Sequence, residues 1–507
     1  MKNKLRIFFN SSVNIVYLFI ISFILFNIFI VSYFVKYYGK KDFVFLNFIP
    51  LLLFIILIYL YKNGKISLKF KFNFDKKRVL ILSFVFFVIA VILFYSAYFI
   101  TGWDSFQVTD YAYNLLNKRF DLISGWRQHY YEWYPNNSLI TLVYFSIFKI
   151  ASFLKIGSFE NLIFLLIIFQ CALCFISAFI SFNIVNDYTK STNYGFLAWL
   201  ITVIFVCFSP WIMIPYTDAS SILIPLIILR LFQKCIKKYK DRYLVMISFI
   251  SFIAFKLKPQ SFIISISILL YVLFNFKCKV NSLTFLKRLL LIAVPFLICI
   301  IPFKYVSNTI LHVSSNAANS ITYNHYLMMG LNDKTDGAYY QLDVDASLSV
   351  NNTSDRVKYN NEIIKKRIKN FGTVGLIKHI VKKTLVIYND GTFAWNMEGT
   401  FYNRLLNKNN VISSASRNFY YVDGKYIGVF NCFFHFAWLI ILIGISFLFK
   451  KSNNPIILVT KLMFIGIFLF ELLFEARARY IFCVFPIMII MFCLSVYEFN
   501  LNKKCTK

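Results

Sequence analysis

A chain of 507 residues that is 59% hydrophobic, 20% aromatic and only 15% charged carries more apolar surface than a soluble core can bury. Ordinary globular chains run about 45–50% apolar and about 25% charged. The mean hydropathy of +0.66 comes with long uncharged runs, which an ~30 Å hydrocarbon slab requires. Soluble enzyme, nucleic-acid binder and secreted disulfide scaffold are excluded, and the chain reads as an all-α polytopic membrane protein.

The net charge of +32 sits largely in short clusters: Lys2–Arg6, Lys62–Arg78, Lys234–Arg242, Lys277–Arg288, Lys450–Lys451 and Lys503–Lys507. Short basic loops between apolar runs follow the positive-inside rule and suit an anionic leaflet; no nucleic-acid partner is implied. Cys171, Cys174, Cys207, Cys299, Cys432, Cys483 and Cys493 lie inside apolar runs, as small hydrophobes do. Cys171 and Cys174 have no second pair or histidine cluster that would make a zinc site. The N-terminus is basic and then apolar without a small-residue cleavage site, which predicts a retained first span.

In chain order, spans are predicted at 12–34, 43–61, 79–100, 161–185, 195–214, 220–236, 243–257, 260–276, 289–303, 429–449, 455–474 and 480–498. The run 138–154 is also apolar, and parity decides its role. If it crossed, the later basic clusters would fall outside; if it does not, they fall inside with both termini. About twelve transmembrane helices are therefore expected, with 138–154 a juxtamembrane helix on the outer face. The chain divides into 1–78 (two spans and a basic cytoplasmic loop), 79–303 (a transmembrane module with first outer loop 101–137), 304–428 (a mixed extracytoplasmic domain) and 429–507 (three spans and a cytoplasmic tail). Within the third piece, 361–383 alternates Ile, Leu and Val with Lys and Arg at helical spacing, as an interfacial amphipathic helix does.

The chemistry-bearing residues fall on the predicted outer side. Loop 101–137 holds Trp103, Trp126 and Trp133, three of the seven tryptophans, partly as an interfacial aromatic belt. Asp104 stands at the mouth of a long span, where an ionisable carboxylate is a functional candidate. Asp218 has the same placement in PWIMIPYTDASSILIPL. Two such carboxylates can share a divalent cation, or one can act as base while the other positions it. Lys256 and Lys258 break two apolar runs in FKLKPQSF, and Arg477 and Arg479 sit in FEARARYIF. Outer arginines that defy the topology rule suit a phosphate; structural pairing with Glu475 or Glu471 is the competing reading.

A span, an outer loop opening with Trp103-Asp104, and Tyr134-Pro135-Asn136-Asn137 before an apolar helix resemble the GT-C superfamily of integral membrane glycosyltransferases. The resemblance runs from about residue 79 to the end, with the first two spans as an addition. It implies a polyprenyl-phosphate sugar as donor and a surface glycopolymer, lipid-linked glycan or protein as acceptor. By match, Asp104 is the catalytic acid of the first outer loop and Asp218 the second acid. Lys258 stands near the lipid phosphate, with Arg477 and Arg479 as further phosphate ligands, and the RARY stretch followed by Pro486 resembles the family's late segment. Trp103 and Tyr134 would pack on the sugar. Ser105 replaces the second acid that often follows Asp104 in the family, so Asp110, Asp121 and Glu132 stand as substitutes. A polysaccharide polymerase or ligase, or a lipid-linked glycan flippase, is the alternative. A polymerase would rely on outer-loop arginines and a flippase on charges within spans, whereas here the outer turns carry the aspartates and the spans hold little acid besides Glu471. A receptor or scaffold would not need polar clusters at three outer turns.

Overall fold

The computed structural model describes residues 2–63, 65, 74–119, 126–276, 281–311, 319–406, 410–449 and 454–505. Among them, nine helices are long and apolar enough to cross a membrane: Lys4–Phe34, Asp42–Tyr61, Lys76–Ala97, Phe159–Thr189, Thr217–Lys237, Ser282–Leu311, Ile427–Ser446, Pro455–Leu473 and Ala478–Asn500. The predicted runs 195–214, 243–257 and 260–276 form shorter helices, Thr192–Cys207, Asp241–Leu257 and Pro259–Asn275. Prolines account for two of these limits. Pro210 and Pro215 end regular helix before residue 214, and Pro259 forces Lys258 out of the helical region into extended backbone (φ −158°).

The bundle has two chemically different ends. At one, the Tyr61 hydroxyl donates to Asn500 Oδ1 (2.6 Å), Asn500 Nδ2 donates to the Tyr194 hydroxyl (2.6 Å), and the Tyr188 hydroxyl donates to Glu498 (2.8 Å). Arg230 pairs with Asp187, and Lys287 with Asp241, at the same end. The other end gathers the turns around residues 98–104, 209–218, 257–259 and 474–479. The helix Ser138–Phe153 meets this second end through its Thr141 and Tyr144 hydroxyls, which bond to Tyr131 and Ser220. The chain reaches this end at Ala97, and Phe159, which opens the next long helix, packs its ring there on Phe106 and Tyr113 of the helix Trp103–Leu116.

The first two membrane helices are tied in by buried polar contacts. Asn47 donates to Asn389 (3.0 Å) and accepts from His435 (2.7 Å), Asn389 donates to Tyr37 (2.9 Å), and Lys461 donates to Asn14 (2.6 Å). Segment 304–428 also packs closely onto the bundle. Its long helix Thr353–Tyr388 contains the predicted amphipathic stretch and is kinked at Gly372 (φ 54°), and Trp395 beyond it is fully buried against Trp211. The antiparallel strands β1 (Phe99–Thr101) and β2 (Tyr402–Leu405) clip this segment to the mouth of the helix Lys76–Ala97.

Candidate functional site

Backbone breaks at the second end aim polar side chains at one another. The β1–β2 pair and a hydrogen bond from the Gly102 amide to the Phe401 carbonyl (2.8 Å) fix the entry to the helix Trp103–Leu116. Trp103 at its first position holds φ 45°, a conformation costly for a bulky residue and concentrated at functional sites. Ser105 Oγ then donates to the Pro215 carbonyl (2.9 Å), which ties Asp104 to the irregular stretch before Asp218. That stretch is held from inside the bundle by Gln170, whose Nε2 donates to the Ile212 and Ile214 carbonyls and whose Oε1 accepts from the Tyr216 amide. Irregular backbone at membrane depth needs such internal partners.

Two linked constellations result. In the first, Asp104 accepts from the Tyr130 hydroxyl (2.8 Å), and the Tyr216 hydroxyl stands 3.5 Å from its other oxygen. Asn137 bridges the two phenols, donating to Tyr130 (2.6 Å) and accepting from Tyr216 (3.1 Å). Asp104 is deeply set and partly buried. Burial pushes its carboxyl above the ordinary aspartate value, and the Tyr130 hydrogen bond and the Arg479 and Arg477 charges offset part of that rise.

In the second, Asp218 is clasped between Lys258, whose ammonium donates to Oδ1, and Arg479, whose Nη1 donates to Oδ2 at 2.7 Å. Arg479 Nε and Arg477 Nη1 both donate to Glu398 Oε2 at 2.6 Å, and Arg477 Nε donates to Glu475. Burial alone would raise the Glu398 carboxyl, but Arg477 and Arg479 outweigh it and hold it below the ordinary glutamate range. Trp103 joins the constellations, with the Arg479 guanidinium 4.7 Å from its ring centroid and its own ring edge-on to Tyr216 at 5.0 Å. Its indole N–H is buried without a hydrogen-bond partner among the described residues.

The structure thus brings Asp104, Asp218, Lys258, Arg477, Arg479 and Trp103 together, with Tyr134 half-buried against Tyr130 at 5.2 Å. The competing pairing for the arginines is half realised: Glu475 pairs with Arg477, whereas Glu471 lies inside the helix Pro455–Leu473 and accepts from Gln260 (3.3 Å). Lys256 faces the rings of Phe255 and Phe303. Of the substitute acids, Asp110 accepts from Asn114, Glu132 engages His129 and Asn319, and Asp121 lies outside the described residues. A divalent cation shared by Asp104 and Asp218 does not fit this arrangement. Both Asp218 oxygens hold cationic side chains, Asp104 accepts from Tyr130, and no group of three metal-ligating side chains occurs among the described residues.

Sequence reasoning passed over Tyr130, Tyr216, Asn137 and Glu398. Tyr216 precedes Asp218 by two residues and Asn137 closes the Tyr-Pro-Asn-Asn motif, so a signal existed for both. Glu398, in WNMEG, carries none. A family model described as a conserved hypothetical integral membrane protein matches residues 2–499. Comparison with curated proteins finds no match.

Proposed function

We propose, for a chain that belongs to this family of integral membrane proteins, the activity of a glycosyltransferase that moves a sugar from a polyprenyl-phosphate donor to a cell-surface acceptor on the extracytoplasmic face. The supporting observation is the meeting of a partly buried carboxyl, Asp104, with the cations Lys258, Arg477 and Arg479 at the end of the bundle away from the Lys234–Arg242 turn. Glycosyl transfer needs a base for the acceptor hydroxyl and neutralisation of the departing phosphate. Asp104 takes the hydroxyl proton as the acceptor oxygen bonds to the anomeric carbon. The bond from that carbon to the phosphate oxygen breaks, and the electron pair leaves with the phosphate beside Lys258, Arg477 and Arg479. Asp218 orients Lys258 and Arg479, while Trp103 and Tyr134 offer ring faces to the sugar. In this reading all twelve apolar helical segments cross the membrane and both termini are cytoplasmic.

Asp104→Asn keeps the size of the side chain and removes the base. Transfer from a polyprenyl-phosphate sugar by the purified protein is expected to fall by about 10²–10⁴, as for loss of a general base, with expression unchanged. Full activity in this variant would remove Asp104 from the reaction.

A further inference from the structure

We infer that Glu398 occupies the phosphate position in the resting protein, bridging Arg477 and Arg479 as an internal anion, and that a phosphate ester binds by displacing it. The inference rests on the proposed reading of these arginines as phosphate ligands, and names the residue that controls access to them.

Charge balance requires a displacement. Lys258, Arg477 and Arg479 are matched by Asp218, Glu398 and Glu475, and Asp104 stands beside them. An incoming phosphate would add a further anion to a set whose three cations each already meet a carboxylate, in surroundings where an unmatched buried charge is strongly disfavoured. One carboxylate therefore has to leave its arginine. Exposure and tethering identify which. The Asp218 side chain is 3% exposed and held through both oxygens. Glu475 is 6% exposed, on a turn whose neighbouring Ala476 amide donates to the Gly337 carbonyl and whose Phe474 carbonyl accepts from Lys383. Glu398 is 18% exposed and bonded to the arginines through a single oxygen.

Its backbone also differs. Glu398 lies on the π-helical turn Trp395–Gly399, directly after Phe393 (φ 56°) and Ala394 (φ 62°). Left-handed conformations at two consecutive residues with side chains are held only by their surroundings. A small, partly open cleft lined by Tyr38, Gly39, Ala338, Met397, Glu398 and Arg477 lies beside this turn and marks the side on which the turn can yield. The single shared oxygen on Glu398 mimics one oxygen of a phosphate, and a phosphate group presents several to the same two guanidinium forks.

The test uses the full-length protein in lipid nanodiscs, with farnesyl phosphate and inorganic phosphate as probes and farnesol as the uncharged control. Glu398→Gln, which removes the competing charge, is expected to bind farnesyl phosphate at least about tenfold more tightly than the wild type, the factor that corresponds to about 1.4 kcal/mol. Equal or weaker binding by a variant of unchanged melting temperature would overturn the inference and leave the donor reading standing. Tighter binding of inorganic phosphate by Glu398→Gln, with farnesyl phosphate bound no better than farnesol, would support the displacement and sink the polyprenyl donor. Should Glu398→Gln not fold, hydrogen–deuterium exchange of the wild type decides. Exchange across 395–400 is expected to rise on saturation with farnesyl phosphate, and unchanged exchange at saturation overturns the inference.

Discussion

Asp104 is partly buried and accepts from Tyr130 beside the Arg479 and Arg477 charges, so its protonation responds to single substitutions around it. Burial favours the neutral acid and dominates, while the Tyr130 hydroxyl and the Arg479 and Arg477 charges favour the carboxylate. A base must be ionised to work, so activity is expected to rise with pH through the Asp104 pKa. Tyr130→Phe removes a donor to the charged form, raises that pKa further and should move the acidic limb of the kcat/KM profile to higher pH. An unmoved limb would mean that another group sets it. Arg479 is the second sensitive position, because one guanidinium serves Asp218 through Nη1 and Glu398 through Nε. A lysine can hold one of these carboxylates closely but lacks the fork for both. Arg479→Lys should therefore lower the melting temperature and raise the donor KM together, and Arg479→Ala should do both more severely, since breaking a buried pair costs about 3–5 kcal/mol. A donor KM unchanged in both variants, with only the melting temperature lowered, would make Arg479 purely structural.

At the scale of elements, the long helix Thr353–Tyr388 acts on the site through Lys383. This fully buried ammonium donates to the carbonyls of Gly330 (2.8 Å), Leu472 (2.8 Å) and Phe474 (2.5 Å). Three donors meet three acceptors, and two of the carbonyls belong to the C-terminal end of the helix Pro455–Leu473, where a helix otherwise leaves such groups unpaired. The turn carrying Glu475 and Arg477 begins there. Lys383→Met is expected to cost at least about 1–3 kcal/mol, the penalty for orphaning even one buried acceptor, and to appear as a lower melting temperature. Gly330 lies in the same knot, where an added Cβ would stand 2.5 Å from the Phe474 carbonyl oxygen. Gly330→Ala should therefore displace this turn, with loss of donor affinity as well as stability; a variant with wild-type melting temperature and affinity would show that the turn yields freely.

At the scale of the whole molecule, the separation of a basic end from the end holding Asp104 and the arginines makes orientation testable. Ser105 and Ser220 are buried, so cysteines placed there would resist labelling on either side. Asp423 and Lys238 are exposed and lie toward opposite ends. In a background stripped of native cysteines, a membrane-impermeant maleimide added to intact cells is expected to label Asp423→Cys and to spare Lys238→Cys. The reverse pattern would invert the orientation and move the site to the cytoplasmic face.

Apolar run length and the placement of lysine and arginine are properties of contiguous sequence, and a bilayer reads them directly. The sequence alone therefore determined a helical, multi-pass integral membrane protein, and placed Asp104, Asp218, Lys258, Arg477 and Arg479 at breaks between apolar runs. The number of long helices was less legible, because Pro210, Pro215 and Pro259 shorten runs that hydropathy alone continues. Which carboxylate meets which cation was decided only by helix packing: Arg479 reaches Asp218 across 261 residues of chain, and Glu398 arrives from a segment with no motif. The phenols on Asp104 and the Lys383 clamp have the same origin. Each side chain satisfies a buried charge or carbonyl that exists only once the helices are assembled, so no local pattern of residues announces it.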